Sequence, residues 1–209
     1  GWFKEEVKLS KMSPKFEKSK KPFYHKLDID ELCENPDLFK DLRQIDFKGG
    51  EPLYQDDHAK FLEMLIENGF SSNIHIQYVT NGTIRNEEIV ELWKYFKSRR
   101  IMFSVEGLGN LYSYVRGGKT ITHDELTENV HWFHEKLKSF KNLDGTDKKS
   151  TMGFSVSMMT YNLRQMPEIY SWMSEWRDFS KLFSIQDEAP PIPVSWPSYL
   201  DVKCLPIEY

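Results

Sequence analysis

Four short runs in the 209-residue chain combine glycine, hydroxyl, amide and charged residues: Gly49-Gly50-Glu51-Pro52, Thr80-Asn81-Gly82, Ser104-Val105-Glu106-Gly107 and Ser155-Val156-Ser157. Paired glycines reach backbone conformations closed to other residues and let a ligand come close to the chain. A glutamate beside them offers an acceptor for a cationic group such as an α-ammonium. Pro52 stiffens the exit from that turn. The same run also describes a tight strand-to-helix turn with a solvent-facing carboxylate, and spacing alone does not separate the two readings. Ser104 and Glu106 stand two apart, so on a strand they share a face, where a hydroxyl and a carboxylate match the hydroxyls of a ribose. Equally, Glu106 opens the following loop and Ser104 is a small core residue. Arg116, within Tyr114-Val115-Arg116-Gly117-Gly118, either turns inward onto a carboxylate or stays on the surface.

These runs fall where strands end. From residue 44 onward, short β-rich runs alternate with helical patterns, the signature of βαβ units and a mainly parallel sheet. Gln44 to Lys48 reads as a strand. Asp57 to Asn68 reads as a helix that buries Ala59, Leu62, Leu65 and Ile66, with Gly69 as its C-terminal cap. Ile74 to Thr80 is the next strand, followed by a helix from an Asn86 cap that buries Ile89, Val90, Trp93 and Phe96. Ile101 to Val105 is an apolar strand, as expected where both faces are covered. Past Gly118, Thr122 or Asp124 caps a helix to about Leu137 that buries Leu126, Val130 and Phe133. Thr151 to Met159, Glu168 to Trp176 and Leu182 to Gln186 complete the array as strand, helix and strand. Asn35-Pro36 predicts an N-cap and a helix to about Arg43. In such sheets ligands sit at the carboxyl ends of the strands, where all four runs lie.

Composition narrows the classes. The chain carries 28 Lys+Arg against 32 Asp+Glu, a formal charge of −4, so nothing favours a nucleic-acid partner. The Lys-rich stretch from Lys11 to Lys26 reads as a solvated surface segment. No apolar run is long enough for a membrane span, and the first residues lack a signal-peptide pattern, which predicts a cytoplasmic protein. His131 and His134 are three apart on a helix without further metal ligands and read as solvent-facing, whereas Trp172, Trp176 and Phe179 read as helix packing. Cys204 reads as a buried strand residue, or alternatively as a ligand in an extension.

In order and placement, the runs at Gly49, Thr80, Ser104 and Arg116 resemble the radical S-adenosylmethionine (SAM) superfamily, and within it the SPASM/twitch-like subgroup, over roughly residues 44–187. The resemblance implies an α/β fold, a partial (β/α)6 TIM-like barrel with its first βα unit missing. Residues 1–188 would be the core domain and 189–209 the start of a C-terminal extension. It implies that Gly49, Gly50 and Glu51, with Pro52 in the same run, hold the amino group of SAM. Ser104 and Glu106 would contact its ribose and Arg116 its carboxylate, with Asn81 and Ser157 as further contacts. The family usually has aspartate where Glu106 stands. Members also carry a CxxxCxxC loop whose thiolates hold a [4Fe–4S] cluster. Here the only cysteines are Cys33 and Cys204, so the expectation is a truncated chain whose cluster ligands lie upstream of Gly1 and whose isolated form is inactive. In the complete enzyme a reductant such as flavodoxin or ferredoxin would drive cleavage of SAM to a 5′-deoxyadenosyl radical. That radical would abstract hydrogen from a peptide or small-molecule substrate that the sequence does not specify. Two alternatives stay open: a cluster-less SAM- or nucleotide-binding scaffold, and an unrelated barrel enzyme.

Overall fold

The structure is a computed structural model that describes residues 29–54, 56–116, 121–141, 149–183, 191–194 and 200–205. The Lys11–Lys26 stretch, Gly117-Gly118 and Ser184–Gln186 lie outside the described residues, as does the side chain of Cys204.

Helices α1 (Ile29–Glu34), α2 (Asp56–Glu67), α3 (Glu87–Leu92), α4 (Gly109–Val115), α5 (His123–Ser139) and α6 (Met166–Phe179) accompany strands β1 (Gln44–Phe47), β2 (His75–Thr80), β3 (Ser98–Ser104) and β4 (Ser150–Ser155). The four strands form one sheet in the order β1-β2-β3-β4, every pair parallel. Parallel neighbours need a crossover, and helices supply it between each pair, so the chain winds a β/α layer whose strand ends all point the same way.

Local signals set most boundaries. α2 buries Ala59, Phe61, Leu62, Met64 and Leu65 and leaves Ile66 half-buried. It stops at Gly69 (φ +72°), where the Gly69 and Phe70 amides donate back to the Ile66 and Leu65 carbonyls at 2.9 and 3.0 Å, a Schellman closure. The Asn86 side chain accepts from the Ile89 amide at 3.1 Å to start α3, and its Nδ2 donates to the Leu53 carbonyl at 3.1 Å. α5 opens on a capping box between Thr122 and Glu125. In β2 half-buried and buried residues alternate, so Ile76, Tyr78 and Thr80 face the core. There Phe47 stacks on Tyr78 with centroids 4.7 Å apart, Trp93 lies 4.4 Å beyond Tyr78, and His58 shares a hydrogen bond with the Tyr78 hydroxyl at 2.7 Å.

Several expectations needed correction. The Pro36–Arg43 helix is only a 3-10 turn, Pro36–Phe39, in which Asn35 makes no side-chain cap; its Nδ2 donates instead to the Glu31 carbonyl in α1. β3 begins at Ser98 rather than Ile101, because register with β2 and β4 recruits Arg99 and Arg100 into the sheet. The Thr151–Met159 strand is interrupted at Val156 and resumes as β5 (Ser157–Met158), which pairs with β6 (Ile192–Pro193). Of the predicted Leu182–Gln186 strand, the described residues form a parallel bridge between Phe183 and Met152, with the Met152 amide donating to the Leu182 carbonyl at 2.8 Å. His134 is not solvent-facing: it is 4% exposed and its Nε2 lies 2.9 Å from the Ser180 hydroxyl. Trp176 is buried, but Phe179 is half exposed at the end of α6. Cys204 belongs to a 3-10 turn, Val202–Cys204, not to a strand.

Two stability predictions follow from these contacts. Replacing Asn86 by Ala removes both the cap and the link to Leu53 and should cost about 1–2 kcal/mol in urea unfolding, with Asn86→Ser recovering part of it. Burial pushes the His58 imidazole down to about 4 from its ordinary 6.5. The unfolded chain therefore gains a proton first, and the stability held by neutral His58 is present above pH 6.5 and lost as pH falls toward about 4. A His58→Gln variant should show a shallower loss of stability across that window.

Candidate functional site

At the carboxyl end of β1 the chain must turn out of the sheet within a few residues, and Gly49 (φ +85°) and Gly50 (φ +57°) take the left-handed conformations this requires. A side chain built on Gly49 would meet nothing within 4 Å, so the backbone here lies open to approach. Glu51 follows, and Pro52 is buried behind it at the start of a 3-10 turn.

The Glu51 carboxylate does not simply face solvent. Its Oε1 accepts from the Thr80 hydroxyl at 2.7 Å and from the Leu53 amide at 3.3 Å, and its Oε2 accepts from the Asn81 amide at 2.8 Å. One carboxylate thus ties the end of β1 to the end of β2. The Thr80 hydroxyl in turn accepts from the Gly82 amide at 3.0 Å. The Asn81 side chain accepts from the Thr83 amide and hydroxyl at 2.9 and 2.6 Å. A carboxylate has about four acceptor positions, so these three bonds leave capacity for one more donor.

A second group forms at the end of β3. Arg116 closes α4 and donates from Nη2 to the Ser104 carbonyl at 2.9 Å, and the same nitrogen lies 2.6 Å from Glu106 Oε2. Glu106 sits past the end of the strand and is 8% exposed. Its Oε2 is buried, and the Arg116 guanidinium beside it compensates its charge. Burial pushes the Glu106 carboxyl up, and the Arg116 guanidinium pulls it part of the way back. Gly107 permits this arrangement by absence of bulk: a Cβ there would meet Leu111 at 2.9 Å and the Tyr112 amide at 3.0 Å.

Two residues that the sequence reading did not single out join these groups. Tyr112 on α4 is fully buried, donates its hydroxyl to the Asn81 carbonyl at 3.4 Å, and senses both Arg116 and Glu106. Burial pushes its phenol to about 12. The apolar positions Leu108, Leu111, Tyr112 and Val115 repeat at helical spacing, which was the available signal for α4. Asn162 is wholly buried and donates to the Glu106 carbonyl at 3.0 Å and the Ser157 carbonyl at 2.8 Å, while accepting from the Met159 amide at 2.9 Å. No local pattern marks it. Through Asn162 the half-buried Ser157 is fastened to the segment that carries Glu106.

The predicted residues therefore fall into two groups on one edge of the sheet. Glu51 and Asn81 make one, Ser104, Glu106 and Arg116 the other, and Tyr112 lies between them. The edge offers a carboxylate with spare acceptor capacity and an open glycine backbone, with a buried acid–guanidinium pair beside them. That chemistry suits a small ligand bearing an ammonium group, and SAM bears one. It does not suit an iron–sulfur cluster: the sequence holds two cysteines, and the described residues contain no group of three or more His, Cys, Asp or Glu side chains placed to hold a metal.

The family model described as Radical SAM superfamily matches residues 13–150. That range contains β1, β2, β3 and the predicted contacts from Gly49 to Arg116, whereas Ser157 lies beyond it. Comparison with curated proteins returns no match.

The Glu106–Arg116 pair generates a pH-dependent prediction. A carboxyl whose folded value is raised contributes stability below its ordinary range and loses it as pH rises through the folded value. Arg116→Met removes the offsetting charge, so the loss should deepen and extend to higher pH. The variant should be less stable than the parent by about 2–3 kcal/mol near neutrality, with the gap closing in acid. Guanidinium unfolding across a pH series measures both.

Proposed function

The chain belongs to the radical SAM superfamily, whose chemistry is SAM-dependent radical chemistry in general, and on that premise we propose that the carboxyl edge of its sheet is the SAM site of a radical SAM enzyme. The observation that carries this reading is the Glu51 carboxylate, which joins the ends of β1 and β2 beside two glycines of left-handed conformation and keeps acceptor capacity for an ammonium group. Gly49, Gly50 and Glu51 hold that group, with Pro52 keeping the turn rigid. On the family resemblance, Ser104 and Glu106 are assigned to the ribose and Arg116 to the ligand carboxylate, and the nearness of Arg116 to Glu106 and to the Ser104 carbonyl supports taking the three together. Asn81 and Ser157 line the same edge.

When bound, SAM supplies the source of a carbon radical that abstracts hydrogen from substrate. The chain's own residues bind and orient it. Thr80 and Asn81 hold the Glu51 carboxylate still, so little ordering is left for the moment of binding. Tyr112 links the second group to Asn81, and Asn162 fastens the Glu106 segment to Ser157. No step is assigned to the [4Fe–4S] cluster, because these residues provide no set of three thiolates for it. We read the sheet as part of a (β/α)6 TIM-like barrel. Residues 189–209 are read as the start of a twitch-like extension, a reading supported by β6 pairing with β5 and by the Thr160 amide donating to the Leu200 carbonyl at 3.0 Å. The substrate, peptide or small molecule, is left unspecified, and a flavodoxin- or ferredoxin-type reductant is the expected electron donor. No helix among the described residues is long and apolar enough to cross a membrane.

A second reading is a SAM-binding scaffold without radical chemistry. Calorimetric titration of SAM into the complete protein and its Glu51→Gln variant tests the site. Binding should weaken about tenfold or more, as expected for loss of a charge-assisted hydrogen bond. Equal binding by the two proteins would remove Glu51 from the site. SAM binding without 5′-deoxyadenosine formation by the anaerobically reconstituted complete protein would establish the scaffold.

A further inference from the structure

The helix-covered face of the sheet holds a hydrogen-bonded tyrosine–histidine pair outside the proposed SAM site. Tyr78 of β2 is wholly buried, and its hydroxyl lies 2.7 Å from His58 Nε2 on α2. Phe47 stacks on the Tyr78 ring at 4.7 Å and meets the His58 ring edge-on at 4.4 Å. Trp93, also wholly buried, lies 4.4 Å from Tyr78 with the two rings tilted by 35°. Phe133 stacks on Trp93 at 6.2 Å, and the half-buried Trp132 of α5 packs edge-on against Phe133 at 4.9 Å. A continuous series of ring contacts thus joins the middle of β2 to α5.

Burial fixes the direction of the Tyr78–His58 bond. The hydroxyl has one proton to place, and His58 Nε2 is the acceptor it meets among the described residues. With Nε2 protonated instead, a buried O–H would be left without an acceptor, at a cost of about 1–3 kcal/mol. Neutral His58 therefore carries its proton on Nδ1 and accepts from Tyr78. Burial holds the His58 imidazole down to about 4, which keeps it neutral, and pushes the Tyr78 phenol well up. Tyr78 does not give up its proton as an acid near neutrality, yet a base stands within proton-transfer distance of it.

We infer that Tyr78 and His58 form a proton-coupled redox pair, with Trp93 as the electron conduit between Tyr78 and the α5 rings. A carbon- or oxygen-centred organic radical takes one electron and, with one proton from solvent, becomes a closed-shell C–H or O–H compound. Tyr78 supplies that electron, directly or through Trp93. As the electron leaves, the Tyr78 O–H bond breaks and an N–H bond forms at His58 Nε2. A neutral phenoxyl radical then stands beside an imidazolium. A thiolate that returns one electron becomes a thiyl radical, and the proton goes back to Tyr78, because an imidazolium among aromatic rings is poorly solvated. Tyr78 stands two residues from Thr80, whose hydroxyl holds Glu51, so the pair lies beside the corner where a radical source is proposed. The pair itself needs neither SAM nor a metal cluster, so its test is independent of the proposed function.

The test is flash oxidation of the complete protein, without SAM, by photogenerated ruthenium(III) tris-bipyridine, read by freeze-quench electron paramagnetic resonance. A persistent neutral tyrosyl signal should form in the parent and in Tyr54→Phe, which removes an exposed tyrosine. The signal should be lost in Tyr78→Phe and form more slowly in Trp93→Phe. His58→Gln keeps an acceptor for the Tyr78 hydroxyl but no basic nitrogen, and should lower the yield about tenfold or more. Circular dichroism checks folding, and if Tyr78→Phe does not fold the His58→Gln comparison decides alone. The inference is overturned if the parent forms no persistent signal or if folded Tyr78→Phe retains it. It is equally overturned if His58→Gln yields as much radical as the parent, or if Tyr54→Phe abolishes the signal.

Discussion

A carboxylate that accepts from three donors on two strand ends is the constraint on which the candidate site depends. Glu51 closes the turn after β1 by meeting the Thr80 hydroxyl and the Asn81 amide, groups that lie 29 and 30 residues away in the chain. These donors meet Glu51 only because β1 and β2 are parallel and in register from Gln44 opposite His75 to Phe47 opposite Tyr78. The aromatic cluster of Phe47, Tyr78, His58 and Trp93 beneath this corner holds that register from the core side, where a one-residue slip would carry Phe47 and Tyr78 out of contact. Site and core are in this sense one structure: the packing under the sheet fixes how closely the polar groups at its edge approach.

The second group shows a different balance. Glu106 is a buried acid beside a partly exposed cation, and burial outweighs the attraction in setting its proton affinity. Such an arrangement is poor as a stabilising device, because desolvation of the charges offsets their attraction. Neighbouring elements hold it in place. Gly107 lets α4 come close, Tyr112 reaches back to Asn81, and Asn162 satisfies the carbonyls of Glu106 and Ser157 together.

Polarity is distributed over the two ends of the sheet with opposite character. The carboxyl ends carry Glu51 and Glu106 with Arg116, whereas the amino ends carry His75, Arg100, Lys149 and Lys181. Between them the strands are apolar on the helix-covered face, with Ile76, Tyr78, Ile101 and Phe103 almost wholly buried. A single wound sheet thus presents two chemically distinct surfaces without a second domain.

Much of the framework was legible in the sequence, because it is written in signals a few residues long. The Gly69 closure, the Asn86 cap and the Thr122 start each depend on neighbours within five residues, and all three stand where periodicity and cap residues put them. The succession of strands and helices, the parallel sheet and the buried faces of α2, α3 and α5 follow from the same local patterns. The early start of β3 at polar Ser98-Arg99-Arg100 was not legible, since pairing with β2 and β4 overrides the unfavourable composition. Nor were the ion pair of Glu106 with Arg116, the bond of Tyr112 to Asn81, or the role of Asn162, whose partner Glu106 is 56 residues away. Residue types and spacing determined which groups end up at strand ends, because a chain's local geometry is short-ranged. Which of those groups touch, and which acceptor keeps room for a ligand, was decided only by the register of the sheet and the depth of burial, and both arise from the whole chain packing at once.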